Sequence, residues 1–239
     1  MSETALRSAW HAVAAAESLK DWPFGTSVLD EPVVIARMNG GIAALRDVCA
    51  HMDAALSGGW IMRGAEGEEL VCPNHRWRYN AGGRCTHIPE LGEQQVIPDW
   101  TRVPAYATRE HYGALWVCLD ADAPAELPRL PALENPRYAR PAILTRAWKL
   151  PAQTVMDQFA VMASATIGPG ALTRFASPLC AAWVTRNAER AVLFTVTPLT
   201  RKASRGFWIA AVQTEAGADA DIETVNAQAF DALCQTIVA

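Results

Sequence analysis

Two cysteine–histidine pairs, Cys49-Ala50-His51 and Cys72-Pro73-Asn74-His75, stand 20 residues apart and constrain this chain more than any other feature. Thiolate and imidazole are soft and borderline ligands, suited to iron–sulfur or zinc and not to magnesium or calcium. Each pair sits on a glycine-flanked or proline-containing turn, so a fold that uses all four side chains must hold two loops facing each other. The surrounding sequence supplies strands for that. Val33–Ala36, Gly41–Leu45, Glu69–Val71 and Ala114–Cys118 are short apolar or alternating runs. Asn39-Gly40-Gly41, Gly58-Gly59 and Ala81-Gly82-Gly83 separate such runs with turn signals. The pattern predicts a small all-β domain.

The spacing narrows the chemistry. In a Rieske [2Fe–2S] cluster two cysteines hold one iron and two histidines the other. C-x-H followed by C-x-x-H lets each loop give one ligand to each iron. A Cys₂His₂ zinc site accepts the same ligands, but zinc knuckles more often use a C-x-x-C pair, which this sequence lacks. Ordinary core cysteines and surface histidines are the remaining alternative, and four ligand-type residues rarely fall into two tight pairs by chance. The start MSETALRSAW lacks the basic-then-apolar pattern of a leader, and no apolar run reaches the ~18 residues of a membrane helix. A cytoplasmic location is expected, where disulfides are uncommon. With 21 basic against 25 acidic residues the formal net charge is −4, so there is no electrostatic case for binding nucleic acid.

The back half reads differently. Pro124, Pro128, Pro131, Pro136 and Pro141 mark residues 121–141 as an extended connector with Leu127, Leu130 and Leu133 as apolar anchors. Ala152–Ala165 is helix-like, Ala181–Arg186, Ala191–Thr197 and Gly206–Val212 are strand-like, and Asp221–Ile237 carries a helical apolar stripe. The division is therefore 1–120, 121–141 and 142–239, with a small α+β layer last. The five histidines are His11, His51, His75, His87 and His111, and none lies in 112–239. Metal chemistry that needs imidazole is excluded from that half.

The segments AWHAVA, EPVVIAR, CAHMDAALSGGW, ELVCPNHRWRYNAGGRCTHIPE and TRVPAYATREHYGALWVCLD resemble, in that order, the Rieske domain of Rieske non-haem iron oxygenase α-subunits. The resemblance implies a [2Fe–2S] cluster with Cys49 and Cys72 on the inner iron and His51 and His75 on the outer one. Asn74 and Arg76 replace the family's usual tyrosine and glycine, Met52 replaces its arginine, and Trp77 is kept. None of these changes removes a ligand, and the charge of Arg76 beside His75 favours the reduced cluster.

The resemblance also implies a helix-grip (START-like) second domain, in which E-N-x-x-D-x-x-H-x-x-x-x-H and a carboxylate hold a mononuclear iron. Laid on MDQFAVMASATIGPG, Asp157 takes the asparagine place and Ala160 the aspartate place, while Ala163 and Gly168 take the two histidine places. Asp231 falls roughly where the third ligand belongs, and the domain is short. The expected fold is α+β: an all-β Rieske domain, then a truncated helix-grip domain without mononuclear iron. The function implied is an electron-transfer or auxiliary subunit of a trimer-type hetero-oligomer. It takes electrons from a flavin- or ferredoxin-type NAD(P)H-dependent reductase and passes them to a catalytic α-subunit. Two alternatives stand beside it: a self-sufficient monooxygenase or demethylase with an unusual or shared iron site, and a structural subunit with no redox task. Outside the cluster motif, His11 and His87 are read as packing and His111 as solvent-facing. Cys85, Cys118, Cys180 and Cys234 are read as buried thiols, and Arg201, Lys202 and Arg205 as a solvated turn.

Overall fold

The computed structural model describes residues 2–64, 67–92, 96–120, 122, 124–140, 142–175, 177, 179–213 and 222–238. Pro141 and Asp221 lie outside the described residues. The chain forms two compact units, Val13–Pro124 and, from both ends of the sequence, Met1–Ala12 with Ala125–Ala239.

The front unit is built from β1 (His11–Ala15, whose first two residues group with the back unit), β2 (Phe24–Val28), β3 (Glu31–Met38), β4 (Gly41–Arg46), β5 (Trp60–Gly64), β6 (Gly67–Val71), β7 (Arg78–Tyr79), β8 (Cys85–His87), β9 (Ala105–His111) and β10 (Ala114–Cys118). One sheet runs β1-β10-β9-β4-β3-β2 and the other β5-β6-β7-β8. The run Val33–Ala36 is apolar throughout because the middle of β3 is buried on both faces. Side chains alternate across a strand, so Val33 and Ile35 enter one core with Tyr106, Leu115 and Val117. Val34, Ala36 and Met38 enter a second core with Leu45, Cys49, Cys72, Trp77 and Tyr79. The larger sheet is thus a wall, and the second core is the floor on which both ligand loops stand.

The back unit contains α1 (Glu3–Arg7), α2 (Pro131–Glu134), β11 (Tyr138–Ala139), β12 (Leu144–Trp148), α3 (Ala152–Thr166), β13 (Gly170–Arg174), β14 (Cys180–Thr185), β15 (Arg190–Thr200), β16 (Ala203–Gln213) and α4 (Ile222–Val238). Its sheet runs β11-β16-β15-β14-β13, with β12 also on β16. Three strands beyond those legible in the sequence are present. β13 is exposed or only half-buried along its length, so it carries no apolar alternation to read. α3 and α4 cover one face of the sheet, where Val155, Met156, Phe159 and Ala163 meet Phe194, Trp208, Phe230 and Leu233.

The amino-terminal segment is tied into this back unit. Thr197 Oγ1 donates to the Ala12 carbonyl at 2.5 Å, and Trp10 Nε1 donates to the Ala125 carbonyl at 2.6 Å. His11 is 1% exposed and its Nε2 donates to the Leu6 carbonyl at 2.8 Å. Burial depresses its pKa from 6.5 to about 4. The folded state therefore keeps His11 neutral while the unfolded chain takes up a proton below pH 6.5. The stabilisation is complete above that value and is lost as pH falls towards 4, amounting to about 3 kcal/mol. Urea unfolding at pH 7 and pH 4 should show His11→Gln losing about 3 kcal/mol less than the parent over this interval. Equal losses would show that His11 does not titrate in the fold.

Candidate metal centre

Two loops rise from the second core of the front unit. The first leaves β4 and carries Cys49 and His51; the second links β6 to β7 and carries Cys72 and His75. They share one backbone frame. Cys49 N donates to the Ala54 carbonyl at 2.8 Å, and Asp53 N to the Cys49 carbonyl at 3.0 Å. In the second loop Cys72 N donates to the Trp77 carbonyl at 2.8 Å, and Arg76 N to the Cys72 carbonyl at 3.1 Å. The residue four places after each cysteine is left-handed: Asp53 at φ 52° and Arg76 at φ 62°. The glycine that the resemblance leads one to expect at 76 suits that geometry, and arginine adopts it at a cost of about 1 kcal/mol.

Two further contacts fix the loops. The Asp47 carboxylate accepts from Ser57 N at 2.7 Å and from Ser57 Oγ at 2.6 Å. Gly59 packs its backbone directly on the Val71 carbonyl, where any Cβ would collide, so only glycine lets the first loop's return strand pass beside Cys72.

The four ligand-type side chains divide by depth. Cys49 and Cys72 are each 1% exposed, whereas His51 and His75 are exposed. Burial pushes the Cys72 thiol up in pKa, opposed by the backbone N–H groups of Asn74 and His75, with the Cys49 sulfur close enough to raise it further. The two sulfurs are thus neighbours, and so are the imidazoles, whose centroids lie 4.6 Å apart at 74°. Among the described residues no three histidine, cysteine or acidic side chains gather around one ion position. The donors instead form a buried sulfur pair and an outer nitrogen pair. That is the donor set of a cluster whose two irons take different ligands.

Residues that the motif did not reveal surround the centre. Tyr79, fully buried, places its hydroxyl 3.2 Å from Cys49 Sγ. Ala50 N donates to the same hydroxyl at 3.2 Å, which leaves the Tyr79 proton free to point at the sulfur. Burial, then the Cys49 sulfur, pushes the phenol pKa far up, so it stays a donor. A hydrogen bond to a cluster sulfur stabilises the reduced, more negative form. With the cluster bound, Tyr79→Phe should lower the midpoint potential by ~40 mV, the one-electron equivalent of ~1 kcal/mol. Arg76→Gly should lower it less, because Arg76 is exposed and water screens its charge. A redox titration that finds no downward shift in Tyr79→Phe removes the phenol from the tuning set. Two large apolar side chains are exposed in this region: Met52, next to His51 in sequence, is 65% exposed, and Trp100, against Trp77, is 68% exposed. His87 is half-buried on β8, while His111 packs on Tyr112 at 3.7 Å.

A match to the Rieske [2Fe–2S] domain family covers residues 9–106. Methylxanthine N3-demethylase NdmB of Pseudomonas putida is 30% identical over 178 residues, 71% of this chain and 50% of that protein. The oxygenase component of dicamba O-demethylase of Stenotrophomonas maltophilia is 33% identical over 115 residues, 48% of this chain and 32% of its own. The chain carries a Rieske [2Fe–2S] domain, with homologues and structural neighbours in the Rieske non-haem iron oxygenase family. The solved structure of NdmB from Pseudomonas putida CBB5 superposes with a TM-score of 0.80 at 22% identity, covering 98% of this chain and 82% of that one. Dicamba monooxygenase bound to dicamba gives 0.72 at 21% identity, covering 95% and 83%. These two likenesses establish a shared fold. The chain spans half or less of the length of the curated relatives it matches. Its Rieske domain accounts for the [2Fe–2S] cofactor.

In the back unit of this Rieske oxygenase relative, the positions that the family's iron motif points to are apart in character. Ala163 is fully buried in the core, and Gly168 lies in the turn after α3 at φ 113°. Asp157 is exposed and accepts from Gln153 Nε2 at 2.7 Å, and Ala160 is half-buried. Asp231 is exposed on α4, whose inner face carries Asn226, Ala229, Phe230 and Leu233. The interior between helices and sheet is aromatic. Phe159 lies 4.6 Å from Phe194 and 6.4 Å from Trp208, and Trp208 lies 5.8 Å from Phe230. Among the described residues, no helix is long and apolar enough to cross a membrane.

Proposed function

We propose that this chain is a Rieske electron-transfer or auxiliary subunit of a hetero-oligomeric Rieske non-haem iron oxygenase. Cys49 and Cys72 hold the inner iron of the cluster, and His51 and His75 hold the outer iron. When bound, the cluster supplies one-electron transfer. The chain's own part is to bury the sulfur pair, to present the imidazole pair at the surface and to donate the Tyr79 proton toward Cys49. Electrons come from an NAD(P)H-dependent reductase of flavin or ferredoxin type. They leave for the mononuclear iron of a partner α-subunit within a cytoplasmic, trimer-type assembly.

The observation that carries this reading is the contrast between the two units. The front unit keeps all four donors in paired geometry. In the back unit, Ala163 and Gly168 take the places that the resemblance gives to the two histidines, and Phe159, Phe194, Trp208 and Phe230 pack in the core under the helices. Metal analysis of the purified chain should find about two irons, all in a cluster with a Rieske EPR signal after dithionite reduction. Product should appear only when an α-subunit is added. A third, firmly held ferrous ion together with oxygen turnover by the chain alone overturns the proposal. The similarity to NdmB favours a second reading, a demethylase whose iron is held by unusual or shared ligands, and the same iron count separates the two.

A further inference from the structure

The metal centre contains an arrangement that ligation by itself does not require. The Trp77 indole lies on the His51 ring with centroids 4.7 Å apart and planes 4° from parallel. His75 meets the same ring edge-on. Trp77 is in turn held from behind: it is 5% exposed, its Nε1 donates to Glu90 Oε2 at 3.3 Å, and Trp100 leans against it at 6.3 Å. Glu90 is an exposed residue on the short turn Pro89–Leu91. A buried indole N–H needs an acceptor, and here the acceptor comes from the surface.

Rotation about the last side-chain bond of histidine is soft, so an exposed imidazole has no fixed ring plane of its own. A flat surface stacked on one face supplies one. We propose that Glu90 is a positioning residue for His51. It anchors the Trp77 indole, the indole sets the imidazole plane, and the metal-facing nitrogen is aimed before the cluster is in place. The inference rests on His51 being a ligand, as proposed above, but the ordering of the ring is a property of the polypeptide alone. No electron or proton moves in it.

Two variants test the device in the full-length, metal-free chain by histidine-selective carbon–proton NMR. A stacked indole shields the protons of the ring beneath it, so His51 should resonate upfield of an unstacked histidine. Glu90→Gln keeps an oxygen acceptor for the indole N–H and should preserve that shift. Glu90→Ala should lose more than half of it, and exchange of the Trp77 indole proton should quicken about tenfold, while the signals of His11 in the other unit stay in place and report an intact fold. An unchanged His51 shift in Glu90→Ala, or an equal loss in both variants, overturns the proposal. Iron content of the parent chain is read separately, so failure of the ligand assignment is distinguishable from failure of the clamp. In loaded protein, Glu90→Ala should broaden the EPR signal and Glu90→Gln should restore its width.

Discussion

Cys49→Ala yields a chain that folds but holds no cluster: iron falls from about two per chain to about zero, and the visible absorption goes with it. In the proposed ligation the inner iron takes both sulfurs, so losing one removes half of its protein ligands. Cys85 is the informative control. It is buried in the same core as Cys49 and Cys72, near Tyr79 and Cys49. Burial, first among its influences, pushes the Cys85 thiol up in pKa, as expected of a packed thiol. Cys85→Ala should retain the iron and lose only packing. Retention of the spectrum by Cys49→Ala, or its loss in Cys85→Ala, means that the wrong sulfurs have been assigned.

Phe159→Ala should destabilise the back unit by roughly 3–5 kcal/mol, the usual range for deleting a fully buried aromatic side chain in a packed core. Phe159 touches Phe194 and Trp208 and is 0% exposed, so no nearby ring can close the gap without leaving its own contacts. Urea unfolding followed by tryptophan fluorescence measures the loss. The result bears on function as well as on stability. A pocket that admits substrate tolerates truncation of its lining, whereas a filled interior does not. A loss below about 1 kcal/mol would indicate spare room under α3 and α4 and would favour the demethylase reading over the electron-transfer one.

The four candidate ligand residues stand out in the sequence because their signal is local. Cys49, His51, Cys72 and His75 lie in two windows of a few residues, and ligand chemistry restricts residue type strongly. The strands β3, β4 and β10 and the helices α3 and α4 were legible because each carries a buried apolar stripe. What surrounds the ligands was not. Tyr79 reads as a strand tyrosine until the fold sets it against Cys49, 30 positions earlier. Glu90 reads as a turn carboxylate until it meets Trp77. β12 and β13 escaped notice because exposed, charged residues such as Arg146 and Arg174 break their patterns. The grouping of residues 1–12 with the back unit has no local signal either, since it depends on hydrogen bonds such as Thr197 to Ala12, 185 positions apart.

That last grouping has a consequence for how the chain comes to be made. The back unit is interrupted: the polypeptide enters it, departs at Ala12, and re-enters at Ala125, where Ala125 N bonds to the Ser8 carbonyl at 2.8 Å. On a ribosome, everything from Val13 to Pro124 emerges while the first dozen residues still wait for their sheet. At that point the front unit has all of its residues, whereas the back unit still lacks β11 to β16 and the helices α2 to α4. Changes within residues 2–12 therefore bear on the unit that is completed later, not on the one that follows them in sequence.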